Sequence, residues 1–227
     1  SEMKILFLIL FLFTIGVAHA SLGFDADQNI RSSSFDLQSI NTSTFECTKG
    51  NGYDLFVGRI YKSNGEVDYK GVQNIRNAVA AGVKTIDAYM IPCLTSNCPS
   101  AEKQVSLAIN ATKGTQFGIL WLDIEEIFVS WPADQSFNRQ FILDMINSAS
   151  KIGQSVGIFT ESTNWKSIVG DWNGANNVPL WWLSYTVESN FNGFISFGGW
   201  DKPKVRQVNA NLKGPCNVGV IAVSYYE

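Results

Sequence analysis

The stretch Gly118-Ile119-Leu120-Trp121-Leu122-Asp123-Ile124-Glu125-Glu126 decides how the rest of the chain is read. A strand alternates its side chains between two faces, so Leu120, Leu122 and Ile124 share one face while Trp121, Asp123 and Glu125 share the other. One face is apolar and the other carries acid. A strand rises about 3.3 Å per residue, which sets the two carboxyl-bearing Cα atoms roughly 6.6 Å apart on one side, near enough to couple electrostatically. Paired carboxylates at a strand end suit acid/base chemistry, although charges at a solvated strand end give the same pattern.

Further strand-like runs lie on both sides of this one: Leu22–Asp27, Leu55–Tyr61, Thr85–Ile91, Val156–Thr160, Pro179–Thr186, Val205–Val208 and Val218–Val223, with the fourth strand read as Phe117–Glu125. Between them, Val72–Ala81, Ala101–Thr112 and Phe137–Ile152 carry apolar residues three and four apart and read as helices, the third capped by Ser136 or Asp134. After Thr160 the helical signal fades, and Asn164-Trp165 and Gly170–Asn177 read as loops or single turns. Eight strands alternating with crossovers predict an α/β fold, a single TIM-like, mainly parallel (β/α) barrel with reduced helices in its second half.

Met3–Ala20 reads as a signal peptide: Lys4 supplies the positive start, Ile5–Ala18 is an apolar run of 14 positions, and Ala18-His19-Ala20 is a small-x-small cleavage site. The run is short of the roughly 20 residues that span a bilayer. Ser1-Glu2 reads as a cloning remnant, and residues 21–227 as one barrel domain. The expected destination is outside the cell or the lumen of a phagosome- or lysosome-like vacuole. His19 is the sole histidine, so the mature chain would lack imidazole, which excludes His-dependent nucleophile triads and zinc sites. A formal charge of −3 supplies no electrostatic reason for nucleic-acid or membrane binding. Four cysteines in a secreted chain imply disulfides; Cys93–Cys98 and Cys47–Cys216 are the favoured pairs, the latter at the barrel's N-terminal rim. Asn41-Thr42-Ser43 and Asn110-Ala111-Thr112 are glycosylation sequons that belong on the surface.

Catalytic groups of such barrels sit at the C-terminal strand ends. There the chain offers Asp25 on the first strand, Arg59 and Tyr61 on the second, Asp87 and Tyr89 on the third, Asp123 and Glu125 on the fourth, and Trp181, Trp182 and Tyr185 on the sixth. Acid ringed by aromatics matches oligosaccharide chemistry, because flat rings stack on sugar faces and carboxylates act on the glycosidic bond.

These residues resemble the family 25 lysozymes, the Chalaropsis-type muramidases, in their eukaryotic secreted form. The resemblance rests on Gly23-Phe24-Asp25-Ala26, Gly71-Val72-Gln73-Asn74-Ile75, Asp87-Ala88-Tyr89 before Pro92-Cys93-Leu94, Leu120-Trp121-Leu122-Asp123-Ile124-Glu125, Trp131-Pro132-Ala133-Asp134, Val156-Gly157-Ile158-Phe159-Thr160, Pro179-Leu180-Trp181-Trp182, Phe197-Gly198-Gly199-Trp200 and Gly214-Pro215-Cys216. It implies hydrolysis of the β-1,4 bond between N-acetylmuramic acid and N-acetylglucosamine in peptidoglycan, by an acetamido-assisted retaining route with no cofactor or metal; for the oligomeric state a monomer is the default expectation. By the same resemblance Glu125 is the general acid/base, Asp123 orients the 2-acetamido group, Asp25 helps keep Glu125 protonated, and Tyr89, Trp181, Tyr185 and Gln207 line the sugar groove. Two departures stand out. Phe159-Thr160 replaces a Tyr-Thr pair, and Val220-Ile221-Ala222-Val223-Ser224 lacks the aspartate that relatives carry on the last strand, its place falling on Ile221, Ala222 or Ser224. The second departure leaves a catalytically weakened carbohydrate-binding protein as an alternative. A chitinase-like glycosidase is the other, but the acidic run lacks the first two acids of the D-x-x-D-x-D-x-E pattern.

Overall fold

The two-residue alternation sorts the barrel's side chains into two apolar clusters. Leu120, Leu122 and Ile124 join Phe56, Ile60, Ala88, Met90 and Ile158 in an outer cluster beneath the helices. Trp121 lies in an inner cluster with Leu55, Val57, Tyr89, Phe159, Trp181 and Val205. The computed structural model describes residues 21–25, 39–184 and 190–226, and the signal-like residues 1–20 lie outside them.

Eight strands close one barrel in chain order: β1 (Ser21–Asp25), β2 (Tyr53–Tyr61), β3 (Thr85–Met90), β4 (Ile119–Asp123), β5 (Ser155–Thr160), β6 (Leu180–Leu183), β7 (Val205–Lys213) and β8 (Val220–Tyr226). Strands β1 to β7 run parallel, and β8 is antiparallel to both β7 and β1. The direction of β8 follows from chain length. Only residues 214–219 join β7 to β8, whereas a parallel return needs a crossover of a dozen residues or more. Cys216 and Asn217 turn that loop with φ of 59° and 57°. Inside, Gly157 gives Trp121 its room, since a Cβ there would meet the indole ring at 2.4 Å.

Five helices are described: α1 (Thr42–Gly50), α2 (Tyr69–Ala80), α3 (Ala101–Ala111), α4 (Gln135–Ile152) and α5 (Ser162–Val169). Asp134, rather than Ser136, caps α4 by accepting from the Ser136 and Phe137 amides. The expected thinning of helices holds, with none described after α5. Two helices escaped the sequence pattern. In α1 a Thr-rich segment of poor helical propensity is held by the Asn41 cap and by Phe45, whose ring packs on Phe24 and Phe56. In α5 the turns read as loops are one short helix that buries Trp165, Ile168 and Val169. None of the described helices is long and apolar enough to cross a membrane.

Both expected disulfides form, Cys47–Cys216 and Cys93–Cys98. The placement of the first differs from expectation: because β8 is antiparallel, Cys216 lies beyond the C-terminal end of β7, and the bridge ties that loop to α1. Asn41 and Asn110 are exposed, as sequons require. In the chain-entropy model, closing a separation of 169 residues stabilises by about 5 kcal/mol and closing one of 5 residues by about 2. Urea unfolding is therefore expected to show a larger loss for C47S/C216S than for C93S/C98S; equal losses would contradict the entropic account.

Candidate active site

Asp25 and Asp123 are the last residues of β1 and β4, and both lie buried on the inner face at the C-terminal mouth. Although β4 ends at Asp123, its pairing with β5 continues. The Ile124 amide donates to the Phe159 carbonyl at 2.9 Å, and the Thr160 hydroxyl donates to the Ile124 carbonyl at 2.7 Å. Glu125 thus keeps the phase of Trp121 and Asp123 and is only 6% exposed. The Trp131 indole N–H fastens its backbone by donating to the Glu125 carbonyl at 3.1 Å. Burial pushes the Glu125 carboxyl up to about 7, and the negative charge of Glu161 adds to the effect. Gln207, on β7, donates from Nε2 to Asp25 Oδ2 at 3.0 Å. Tyr89 pairs in register with Trp121 and faces the same lumen.

Arg59, Asp87 and Trp181 are buried and engaged with other parts of the barrel. Arg59 is buried on the inner phase of β2, and its Nε donates to Asp68 Oδ2 at 2.9 Å. Asp68 in turn caps α2 through the Gly71 amide, so this ion pair anchors a helix. Asp87 is 2% exposed and ties β3 to β4: Oδ1 accepts from the Ile119 amide at 2.8 Å and Oδ2 from the Trp121 indole at 2.9 Å. Burial still raises its pKa despite those donors. Gly118 must stay small here, because a Cβ would stand 2.6 Å from Asp87 Oδ1. Trp181 is 2% exposed, with the rings of Phe159 and Trp121 at 4.5 and 5.7 Å, so it forms the floor of the mouth and has no open face for a sugar. Tyr185 lies outside the described residues.

The register narrows where the last-strand aspartate implied by the resemblance would fall to Ala222 or Ser224. Ala222 pairs with Asp25 and shares the inner phase with Ser224, opposite Gln207, whereas Ile221 belongs to the outer cluster. The inner face of β8 thus carries no acid among the described residues.

Sequence reading missed a set of polar residues at the start of α5, of which Asn164 and Ser167 bond to Glu126 and Glu161 acts on Glu125 through its charge. Glu161 caps α5, with Oε2 accepting from the Thr163 amide at 2.8 Å and Oε1 from the Asn164 amide at 2.7 Å. Asn164 Oδ1 accepts from the Glu126 amide at 3.0 Å, and Ser167 donates to Glu126 Oε1 at 2.6 Å. The available signal was an acid directly after the fifth strand, at the start of a segment read as loop. Among the described residues no cluster of His, Cys, Asp or Glu is suited to holding a metal ion. A buried protonatable carboxyl beside a second carboxylate can protonate a leaving group while its neighbour meets developing positive charge.

A barrel with this mouth is a glycoside hydrolase architecture, and comparison with known proteins identifies the family. The model of the family described as "Lysozyme-like protein 1" matches residues 27–208. Lysozyme-like protein 5 of Caenorhabditis elegans is 42% identical over 221 residues, covering 96% of this chain and 97% of that protein. Probable GH family 25 lysozyme 5 of Dictyostelium discoideum is 34% identical, covering 96% and 97%. The fold is shared with a family GH25 lysozyme from Aspergillus fumigatus at a TM-score of 0.69, over 92% of this chain and 94% of that one, with 17% identity. The chain belongs to the lysozyme-like proteins of glycoside hydrolase family 25 and is a lysozyme-type glycosidase.

A carboxyl raised from 4.5 to about 7 binds its proton more tightly in the folded state, so stability falls as pH rises from 4.5 to 7 and stays reduced above that window. Glu125→Gln removes the penalty. The variant is expected to exceed the wild type in stability by about 1–3 kcal/mol at pH 7.5 and by little at pH 4, as read from denaturant unfolding at the two pH values.

Proposed function

We propose that this protein is a secreted lysozyme that hydrolyses the β-1,4 bond between N-acetylmuramic acid and N-acetylglucosamine in bacterial peptidoglycan. The observation that carries the proposal is the buried Glu125 carboxyl, pushed up to about 7 beside Asp123 at the barrel mouth. A general acid works best with a pKa near the working pH, and burial supplies that shift here. The Glu125 proton passes to the glycosidic oxygen as its bond to the anomeric carbon breaks. The substrate's own acetamido oxygen attacks that carbon from the opposite face, forming an oxazolinium ion. Asp123 accepts the acetamide N–H bond and balances its growing positive charge. Water, deprotonated by Glu125, then opens the ring with net retention, a departure from the two-carboxylate scheme. Asp25, held by Gln207, adds negative charge to the cleft.

Secretion is supported by the signal-like start and by two disulfides, which persist in oxidising compartments. The destination is the cell exterior or a digestive vacuole, with the protein acting as a monomer on glycan strands. One observation favours a second reading. The inner face of β8 presents Ala222 beside Asp25 and Ser224 beside Gln207, with no acid among the described residues, which suits a protein that binds the glycan and turns it over weakly.

Purified protein incubated with bacterial cell walls separates the two readings through turbidity and released reducing ends. Cleavage is expected, with E125Q lowering kcat by about 10²–10⁴-fold; sedimentation with the walls and no new reducing ends would favour the binding protein. Because the acid must be protonated, kcat/KM is expected to fall as pH rises through about 7. A profile flat up to pH 9 would remove Glu125 from the acid's role.

A further inference from the structure

Strands β4 and β5 carry two carboxylates to the same height at the mouth. Asp123 pairs with Phe159 in register, and Glu125 and Glu161 each lie two residues further on. Parallel neighbours run about 4.8 Å apart. The bonds from the Ile124 amide to the Phe159 carbonyl and from the Thr160 hydroxyl to the Ile124 carbonyl hold the two chains side by side past their formal ends. Glu161 retains extended backbone, with φ −131° and ψ 168°, so it keeps the inner phase of Phe159.

The first turn of α5 then limits how far either carboxylate can move. Both Glu161 oxygens are held by the Thr163 and Asn164 amides, while Asn164 and Ser167 grip Glu126, the residue next to Glu125. One short helix therefore fixes both sides of the pair.

We propose that Glu161 is a positioning residue for the acid step, a fixed negative charge beside Glu125 that keeps the proton on that carboxyl until the leaving oxygen takes it. This rests on Glu125 being the general acid under the proposed function. Among the described residues, the other charged or titratable groups on the barrel's inner face are Asp123 on β4, Asp25 on β1 with the Gln207 amide against it, Arg59 on β2, which bonds to Asp68, and Asp87 and Tyr89 on β3. Strand β8 supplies Ala222 and Ser224, which carry no charge. Burial is the main cause of the raised Glu125 pKa, and the negative charge of Glu161 adds to it.

The test is a carbon-13 NMR titration of the Glu125 carboxyl in the wild type, E161Q and E161D. E161Q is expected to lower the midpoint by about 1 pH unit, since loss of a like charge favours ionisation. E161D, which keeps a capping carboxylate, is expected to stay near the wild type. The basic limb of kcat/KM on cell walls is expected to move with the midpoint, whereas a purely structural role would lower the folded fraction and leave the midpoint in place. Should E161Q not fold, Glu161→Ser provides an uncharged helix cap with the same expected downward displacement. An unmoved or raised midpoint in the neutral variant, or an E161D midpoint as low as that of E161Q, overturns the proposal. The titration needs no turnover, so intact cell walls would sink the reading of Glu125 as acid while the midpoints still judge the pairing.

Discussion

The pairing of β4 with β5 beyond Asp123 is the constraint on which the site depends. Ile124 is held from both sides, by the Phe159 carbonyl and the Thr160 hydroxyl, and so the chain cannot turn outward before Glu125 has been delivered to the inner face. Without that extension Glu125 would sit on a surface loop, in water, with an ordinary carboxyl pKa. With it the side chain is buried, and the energetic cost of ionising a buried acid becomes a functional property. Destabilisation at a site of this kind is a common accompaniment of catalysis.

Beneath the carboxylates the barrel is solid. Trp121, Phe159 and Trp181 fill its interior, and Asp87 fixes the orientation of the Trp121 indole while stitching β3 to β4. This floor explains why two residues of types common in sugar sites serve as structure here. An aspartate whose two oxygens hold an amide and an indole has little left to offer a ligand, and a tryptophan packed between rings has no exposed face. The chemistry is confined to the layer above, where Asp25, Asp123, Glu125 and Glu161 stand around the mouth.

The family assignment and the geometry meet at β8. Its short connection from β7 forces an antiparallel strand, and the resulting register places Ala222 against Asp25. An acid is thereby absent from one wall, while Glu161 stands at the end of β5 on another. Burial is the main cause of the raised Glu125 pKa, and the like charge that adds to it comes from Glu161, on the α5 side of the mouth.

Much of this was legible in the residues. The alternation of Leu120, Leu122 and Ile124 with Trp121, Asp123 and Glu125 dictates two faces in any extended structure, and eight such runs with helical crossovers leave few architectures other than a barrel. The even cysteine count and the acid pair follow from composition and local spacing. What folding alone decided were the features that need partners distant in sequence. Helices α1 and α5 form because Phe45 and Trp165 find apolar neighbours and because Asn41 and Glu161 cap them, which no local period records. The duties of Asp87 and Arg59 depend on what the adjacent strand or helix presents to them, and the elevated affinity of Glu125 for its proton depends on water being excluded by the closed barrel. Periodicity is a property of neighbouring residues, but burial and charge proximity belong to the assembled chain.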